Sequence, residues 1–116
     1  MLKGKKVLIG VSASIAAYKS VELVRLFKKE GASVKVIQTE ASLLFVAPFT
    51  LATLSENPVL SEMVDAKSGA WNSHVDLGLW ADFMVIATLT ANSMAKMTTG
   101  ECDNLLLATY LSAKCP

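Results

Sequence analysis

The chain has 116 residues, 53% of them hydrophobic and 18% charged, with a formal net charge of +1. That is length for one domain rather than two, and the balance is globular rather than disordered. Beyond Lys3, Lys5 and Lys6 there is no basic block for nucleic acid or an anionic membrane, and no apolar run approaches the roughly 18 residues of a membrane helix.

Lys5 to Val11 is a short, β-branched apolar run. It predicts a buried parallel strand rather than the apolar core of a secretion signal, because Ser12, Ser14 and Tyr18-Lys19 interrupt it so soon. Ile15 to Glu30 predicts a helix, with Ala17, Val21, Val24 and Phe27 on one stripe and Leu23 and Leu26 widening it. Ser14 is its expected N-cap and Gly31 its terminating glycine. Val34 to Gln38 predicts a second strand, so the first 38 residues read as a β-α-β unit with a right-handed crossover.

Shorter helices are expected over Thr39 to Phe45 and over Pro48 to Leu54, the latter with Pro48 in its first turn. Asn57-Pro58 marks a turn, and Glu62 to Ala70 reads as an exposed loop. Ser73 with Asp76 has the form of a capping box, predicting a helix from His74 to about Trp80. Phe83 to Ala87 is a third buried strand, followed by a polar loop from Thr88 to Ser93. Met94 to Thr98 predicts a single helical turn, and Asp103 an N-cap for a helix from Asn104 to about Ser112. Cys102 and Cys115 form no C-x-x-C pair, metal-ligand clusters are absent, and a reducing cytoplasm is the expected setting. Cys102 is expected to be a small buried residue beside the cap.

Polar residues collect just after the carboxyl ends of the predicted strands, the edge at which open parallel sheets bind ligands. Gly10-Val-Ser-Ala-Ser14 lacks the G-x-G-x-x-G dinucleotide fingerprint but offers two hydroxyls at a helix start. Ser12 and Ser14 suit a terminal monophosphate, although Ser14 equally suits a plain cap. Thr88-Leu-Thr-Ala-Asn-Ser93 can bond a phosphate or heterocycle, or merely cap the next helix. His74, the one histidine, would be kept neutral at a helix N-terminus and could serve as a base, or be a surface residue. Asp103-Asn104 can reach a ligand or simply cap. Trp71 and Trp80 flank His74 and either wall a planar ligand or pack in the core.

Taken together and in order, Val11-Ser-Ala-Ser-Ile-Ala-Ala-Tyr-Lys19, Val36-Ile-Gln-Thr-Glu-Ala41, Trp71-Asn-Ser-His-Val-Asp-Leu-Gly-Leu-Trp-Ala-Asp82, Thr90-Ala-Asn92 and Gly100 to Leu106 resemble the homo-oligomeric flavin-containing cysteine decarboxylases. The resemblance covers essentially the whole chain. It implies an α/β, Rossmann-like (flavodoxin-like) doubly wound parallel sheet with helices on both faces. It implies FMN at the strand ends, with Ser12 and Ser14 on the phosphate side and Thr39 near the flavin. Thr88, Thr90, Ala91 and Asn92 form the second flavin loop, with Asp103 and Asn104 beyond it. His74 matches the active-site histidine.

The implied reaction is oxidative decarboxylation of 4′-phospho-N-pantothenoylcysteine to 4′-phosphopantetheine in coenzyme A biosynthesis. Oxidation at the cysteine carbon next to sulfur makes the carboxylate a leaving group, and reduction of the enethiol completes the turnover. Trimers, or multiples of trimers, are the implied assembly.

The chain departs from the family pattern at Ala13, at Thr88-Leu89 where Pro-Ala is usual, and at Thr99 and Glu101. It stops at Cys115-Pro116, ahead of the strand and the Pro-x-Met-Asn type substrate loop that the family carries next. A single FMN-binding domain, residues 1–116, incomplete at its C-terminus and inactive alone, is therefore expected. The alternatives are a peptidyl-cysteine decarboxylase, a flavin prenyltransferase, and a non-catalytic or electron-transfer FMN module. An NAD-binding domain is disfavoured, since Gln38 ends the second strand where a ribose-binding acid would often stand.

Overall fold

A computed structural model of the protein describes residues 2–61, 74–87 and 89–116. Three parallel strands form one sheet in the order β2-β1-β3: β1 Lys6–Val11, β2 Ser33–Gln38 and β3 Phe83–Ile86. The central strand is the one that reads as most continuously apolar, and Val7 to Val11 are all buried, as a strand covered on both faces requires. Val7 pairs with Val34 on one side and Phe83 on the other, and Gly10 with Ile37 and Ile86. Asp82 anchors the amino end of the sheet, its backbone N–H donating to Lys6 O at 2.7 Å and its carboxylate accepting from Lys6 N at 2.8 Å.

Alternate residues of β1 feed two separate cores. Val7, Ile9 and Val11 pack with Val24 of α1 (Lys19–Lys29) and Leu51 of α2 (Pro48–Ser55). Leu8 points the other way, into Leu77 of α3 (His74–Trp80) and Leu105 and Leu106 of α5 (Leu105–Ser112). Helices thus cover both faces, as the doubly wound reading expects. Gly10 also faces α5: a Cβ there would stand 2.4 Å from Leu106 Cδ1. The missing side chain serves close packing of α5 on β1.

Several local expectations are corrected. Ile15 to Tyr18 is a 3-10 turn, and α1 proper starts at Lys19, because Ser14 Oγ and Ser14 O close tight bonds to Ala16 N and Ala17 N. Leu26 is exposed rather than part of the apolar stripe, while Val24 is buried and Val21, Leu23 and Phe27 pack against the core. Gly31 terminates the helix with φ +89°, as expected.

The segment after β2 is likewise a 3-10 turn, Glu40–Leu44, with Thr39 as its cap. α4 spans Ala91–Thr99, starting three residues earlier than the single turn expected from Met94, because Thr90 caps it. Asn104, not Asp103, caps α5: its Oδ1 accepts from Leu107 N at 2.8 Å, and Asp103 is drawn instead to Lys96. Cys102 is exposed, not buried. Trp80 packs on the α3–α5 core, and Lys35 Nζ lies 4.5 Å from its ring centroid. The expected loop 62–70, Trp71, the Ser73 cap and Thr88 lie outside the described residues.

Candidate functional site

The three strand ends are stitched together before any site is built. Thr39 N donates to Val11 O at 2.9 Å, and Ala87 N to Gly10 O at 2.8 Å. The chain leaves each strand at the same edge and turns at once into a helical segment with a polar cap. Those caps are Ser14, Thr39 and Thr90, with Asn104 added at the start of α5.

Capping has a chemical consequence. Thr39 Oγ1 accepts from Ser42 N at 3.3 Å, Thr90 Oγ1 from Ser93 N at 3.1 Å, and Asn104 Oδ1 from Leu107 N. Each spends an acceptor lone pair on its helix and keeps its protons: a hydroxyl hydrogen on each threonine, and two amide hydrogens on Asn104. Thr39, Thr90 and Asn104 meet in one cavity of about 270 Å³ at the carboxyl edge of the sheet, with Asn92 and Asp103 also in its wall. A ring of donors fits an acceptor-rich ligand, such as a phosphate or the carbonyls of a flavin.

Other predicted residues stand outside that wall. Ser12 is buried directly behind it, its Oγ 3.2 Å from Oγ of the lining residue Ser93. Ser14 caps the turn after β1 and does not line the cavity, and Ala91 is an exposed first residue of α4. His74 opens α3 and does not line the cavity; its Nδ1 is buried with no hydrogen-bond partner among the described residues. Leu89 is 41% exposed and is not in the cavity wall. Gln38, at the end of β2, is fully buried, with its Nε2 donating to Ser42 Oγ and Val46 O and its Oε1 without a hydrogen-bond partner among the described residues.

Sequence reasoning missed Glu40 and Lys96, both in the wall. Lys96 was hidden by the expectation of a one-turn α4. Once the helix starts at Ala91, Asn92 and Lys96 are four residues apart and share a face. Lys96 Nζ lies 2.7 Å from Asp103 Oδ2. That hydrogen bond and the attraction behind it hold the Asp103 carboxyl below its usual range and the Lys96 ammonium above its own.

Two other cavities are of comparable or larger size. One of about 300 Å³ is formed by Glu22, Arg25, Leu26 and Lys29 on a single helix, and one of about 400 Å³ lies between β3 and the end of α5, beside Tyr110 and Cys115. Neither gathers side-chain donors from several strand ends, which is what gives the smaller cavity its chemistry.

A parallel sheet with helices on both faces and a cavity lined by cap residues at its carboxyl edge is the arrangement in which α/β domains bind their ligands. The Flavoprotein family model matches residues 1–115, and the chain belongs to that family. It is 59% identical over 71 residues to a cysteine/cysteine sulfinic acid decarboxylase from an unknown prokaryotic organism, covering 61% of this chain and 20% of that protein. It is 39% identical over 115 residues to the coenzyme A biosynthesis bifunctional protein CoaBC of Escherichia coli, covering 99% of this chain and 28% of that protein.

Among solved structures, the FMN-dependent cysteine decarboxylase SpaF superposes on the whole chain, and on 67% of its own, with a TM-score of 0.88 at 30% identity. A PPC decarboxylase variant complexed with pantothenoylaminoethenethiol superposes on 95% of this chain and 61% of its own, with a TM-score of 0.79 at 30% identity. The chain spans 20% and 28% of the length of those two curated relatives.

Proposed function

We propose that the chain is the cofactor-binding part of an FMN-dependent decarboxylase acting on 4′-phospho-N-pantothenoylcysteine and yielding 4′-phosphopantetheine. The observation that carries this reading is the donor ring of Thr39, Thr90 and Asn104 at the sheet edge. The likeness to CoaBC along 99% of the chain, and to a PPC decarboxylase fold, supports the substrate.

Bound FMN would supply two-electron oxidation and reduction at the substrate carbon next to sulfur. The chain's own contribution is to bind and orient. Thr39, Thr90 and Asn104 donate protons to ligand oxygens, and Asn92 adds a second amide. On this reading Ser12 and Ser14 belong to the phosphate side, with Thr88 and Ala91 in the second flavin loop. His74 holds or moves a proton beside the substrate.

Large apolar side chains stand exposed in the segments that leave the cavity: Ile15 and Tyr18 beyond Ala13, and Leu44 and Phe49 beyond Ala41. A second copy of the chain covering them fits the trimeric assembly implied by the family resemblance. No helix among the described residues is long and apolar enough to cross a membrane, and a cytoplasmic enzyme is the proposed setting.

The first test is an FMN titration. Flavin absorbance that travels with the protein through gel filtration supports the reading, and a colourless chain that ignores FMN ends it. A second reading, supported by the 59% identity over 71 residues, is decarboxylation of cysteine or cysteine sulfinate. Carbon dioxide release by the longest natural form of the protein decides between them. Turnover of free cysteine but not of 4′-phospho-N-pantothenoylcysteine removes the first substrate.

A further inference from the structure

We propose that Lys96 is a positioning residue of the flavin site, holding the α4–α5 connection through Asp103 so that Asn104 presents its amide protons to the cofactor. The inference rests on the flavin reading above.

Lys96 grips that connection at both ends. Its carbonyl oxygen accepts from Gly100 N and from Glu101 N, the latter at 3.0 Å. Its ammonium holds Asp103 at 2.7 Å. Gly100, at φ +78°, lets the chain reverse between these two holds. Asn104 follows immediately. With Oδ1 committed to Leu107 N, the side-chain groups it has left for the cavity are the two protons on Nδ2.

The two helices differ in how firmly they are set. Leu105 to Thr109 of α5 are all buried, whereas in α4 Ser93 is the one buried residue. The wall containing Asn92 and Lys96 is therefore less firmly set by burial than the wall containing Asn104, and residues 100–104 join the two. An exposed ion pair adds little to folding stability, since water screens it and two side chains must be ordered to make it. A short charge-assisted bond across the lining of a ligand cavity fixes geometry instead. Because Asp103 neutralises the ammonium, the expected effect runs through the loop and not through a free positive charge.

The test is FMN titration of flavin-free protein, read by fluorescence quenching and by visible circular dichroism. Lys96→Met and Asp103→Asn are each expected to bind FMN about three- to tenfold more weakly, with a diminished visible dichroism band. The double variant should bind no more weakly than the worse single, because both changes release one clamp. Lys96→Arg should recover affinity to within about twofold of wild type. Melting temperatures of the flavin-free variants should stay within about 3 °C of wild type, so the affinity loss is not one of folding; the dichroism band and the arginine rescue are the readouts that a merely structural role would not move.

Losses that multiply in the double variant would overturn the clamp by assigning the two side chains separate contacts with the cofactor. Variants indistinguishable from a flavin-binding wild type would overturn it while leaving the flavin reading intact. Failure of the wild type to bind FMN removes both.

Discussion

Ser12 and Ser93, 81 residues apart in the chain, face each other with their hydroxyl oxygens 3.2 Å apart, both buried. One follows β1 and the other lies in the first turn of α4. Their bond joins the first strand-end loop to the helix whose Asn92 and Lys96 line the cavity. Replacing Ser93 with alanine leaves the buried Ser12 hydroxyl without this partner. The expected cost is about 1–2 kcal/mol in urea denaturation, with the Ser12→Ala/Ser93→Ala double variant costing less than the sum of the singles. Strictly additive losses would mean that the two hydroxyls do not depend on each other.

Gly10 is expected to be intolerant of a side chain for a packing reason. A Cβ would meet Leu106 Cδ1 at 2.4 Å, and Leu106 is fully buried and has little room to turn. Gly10→Ala should lose about 1–3 kcal/mol of stability. Adding Leu106→Val should recover part of it, as read by thermal or denaturant unfolding. Wild-type stability in Gly10→Ala alone would contradict the packing.

Asn104 has two separable jobs. Asn104→Asp keeps a capping oxygen for Leu107 N and places a favourable charge at a helix start, so flavin-free stability should stay within about 0.5 kcal/mol of wild type. FMN affinity should nevertheless fall, because the amide protons are gone. Asn104→Ala should lose about 1 kcal/mol of stability together with affinity. Full FMN affinity in the aspartate variant would show that the amide does not reach the cofactor.

The Lys96–Asp103 pair should be insensitive to pH across the working range. Asp103 is held below its ordinary 3.8 and Lys96 above its ordinary 10.5, in each case chiefly by their mutual hydrogen bond, with Glu101 adding to the attraction on Lys96. The attraction is complete between those two ordinary values. It is lost on the acid side only as pH falls through the depressed Asp103 value, and on the alkaline side only as pH rises through the raised Lys96 value. The ratio of wild-type to Lys96→Met FMN affinity is therefore expected to be constant between about pH 5 and 9. A ratio that collapses inside that window would place another titrating group in control.

His74 gives the cleanest division between binding and chemistry. It does not line the cavity that holds Thr39, Thr90 and Asn104, and its Nδ1 is buried without a partner among the described residues. In the longest natural form of the protein, His74→Asn is expected to bind FMN as the wild type does and to lose at least about a hundredfold in turnover. Unchanged turnover would remove histidine from the proposed chemistry.

What the sequence determined by itself is the order of the strands and helical segments, and the edge at which the polar cavity forms. The apolar runs at Val7 to Val11 and Val34 to Gln38 can be read locally because a strand covered on both faces needs little else. Thr39, Thr90, Asn92, Asp103 and Asn104, singled out on the family resemblance, all stand in the wall of one cavity at the carboxyl edge of the sheet. Only the tertiary structure decided which cap belonged to Asn104 rather than Asp103, since that depended on Lys96 competing for the carboxylate. It likewise decided that Gly10 serves Leu106, that Ser12 meets Ser93 across 81 residues, and that Leu26 faces solvent. Each of these rests on a pairing between segments brought together by the sheet and its two cores, and local periodicity carries no information about such partners.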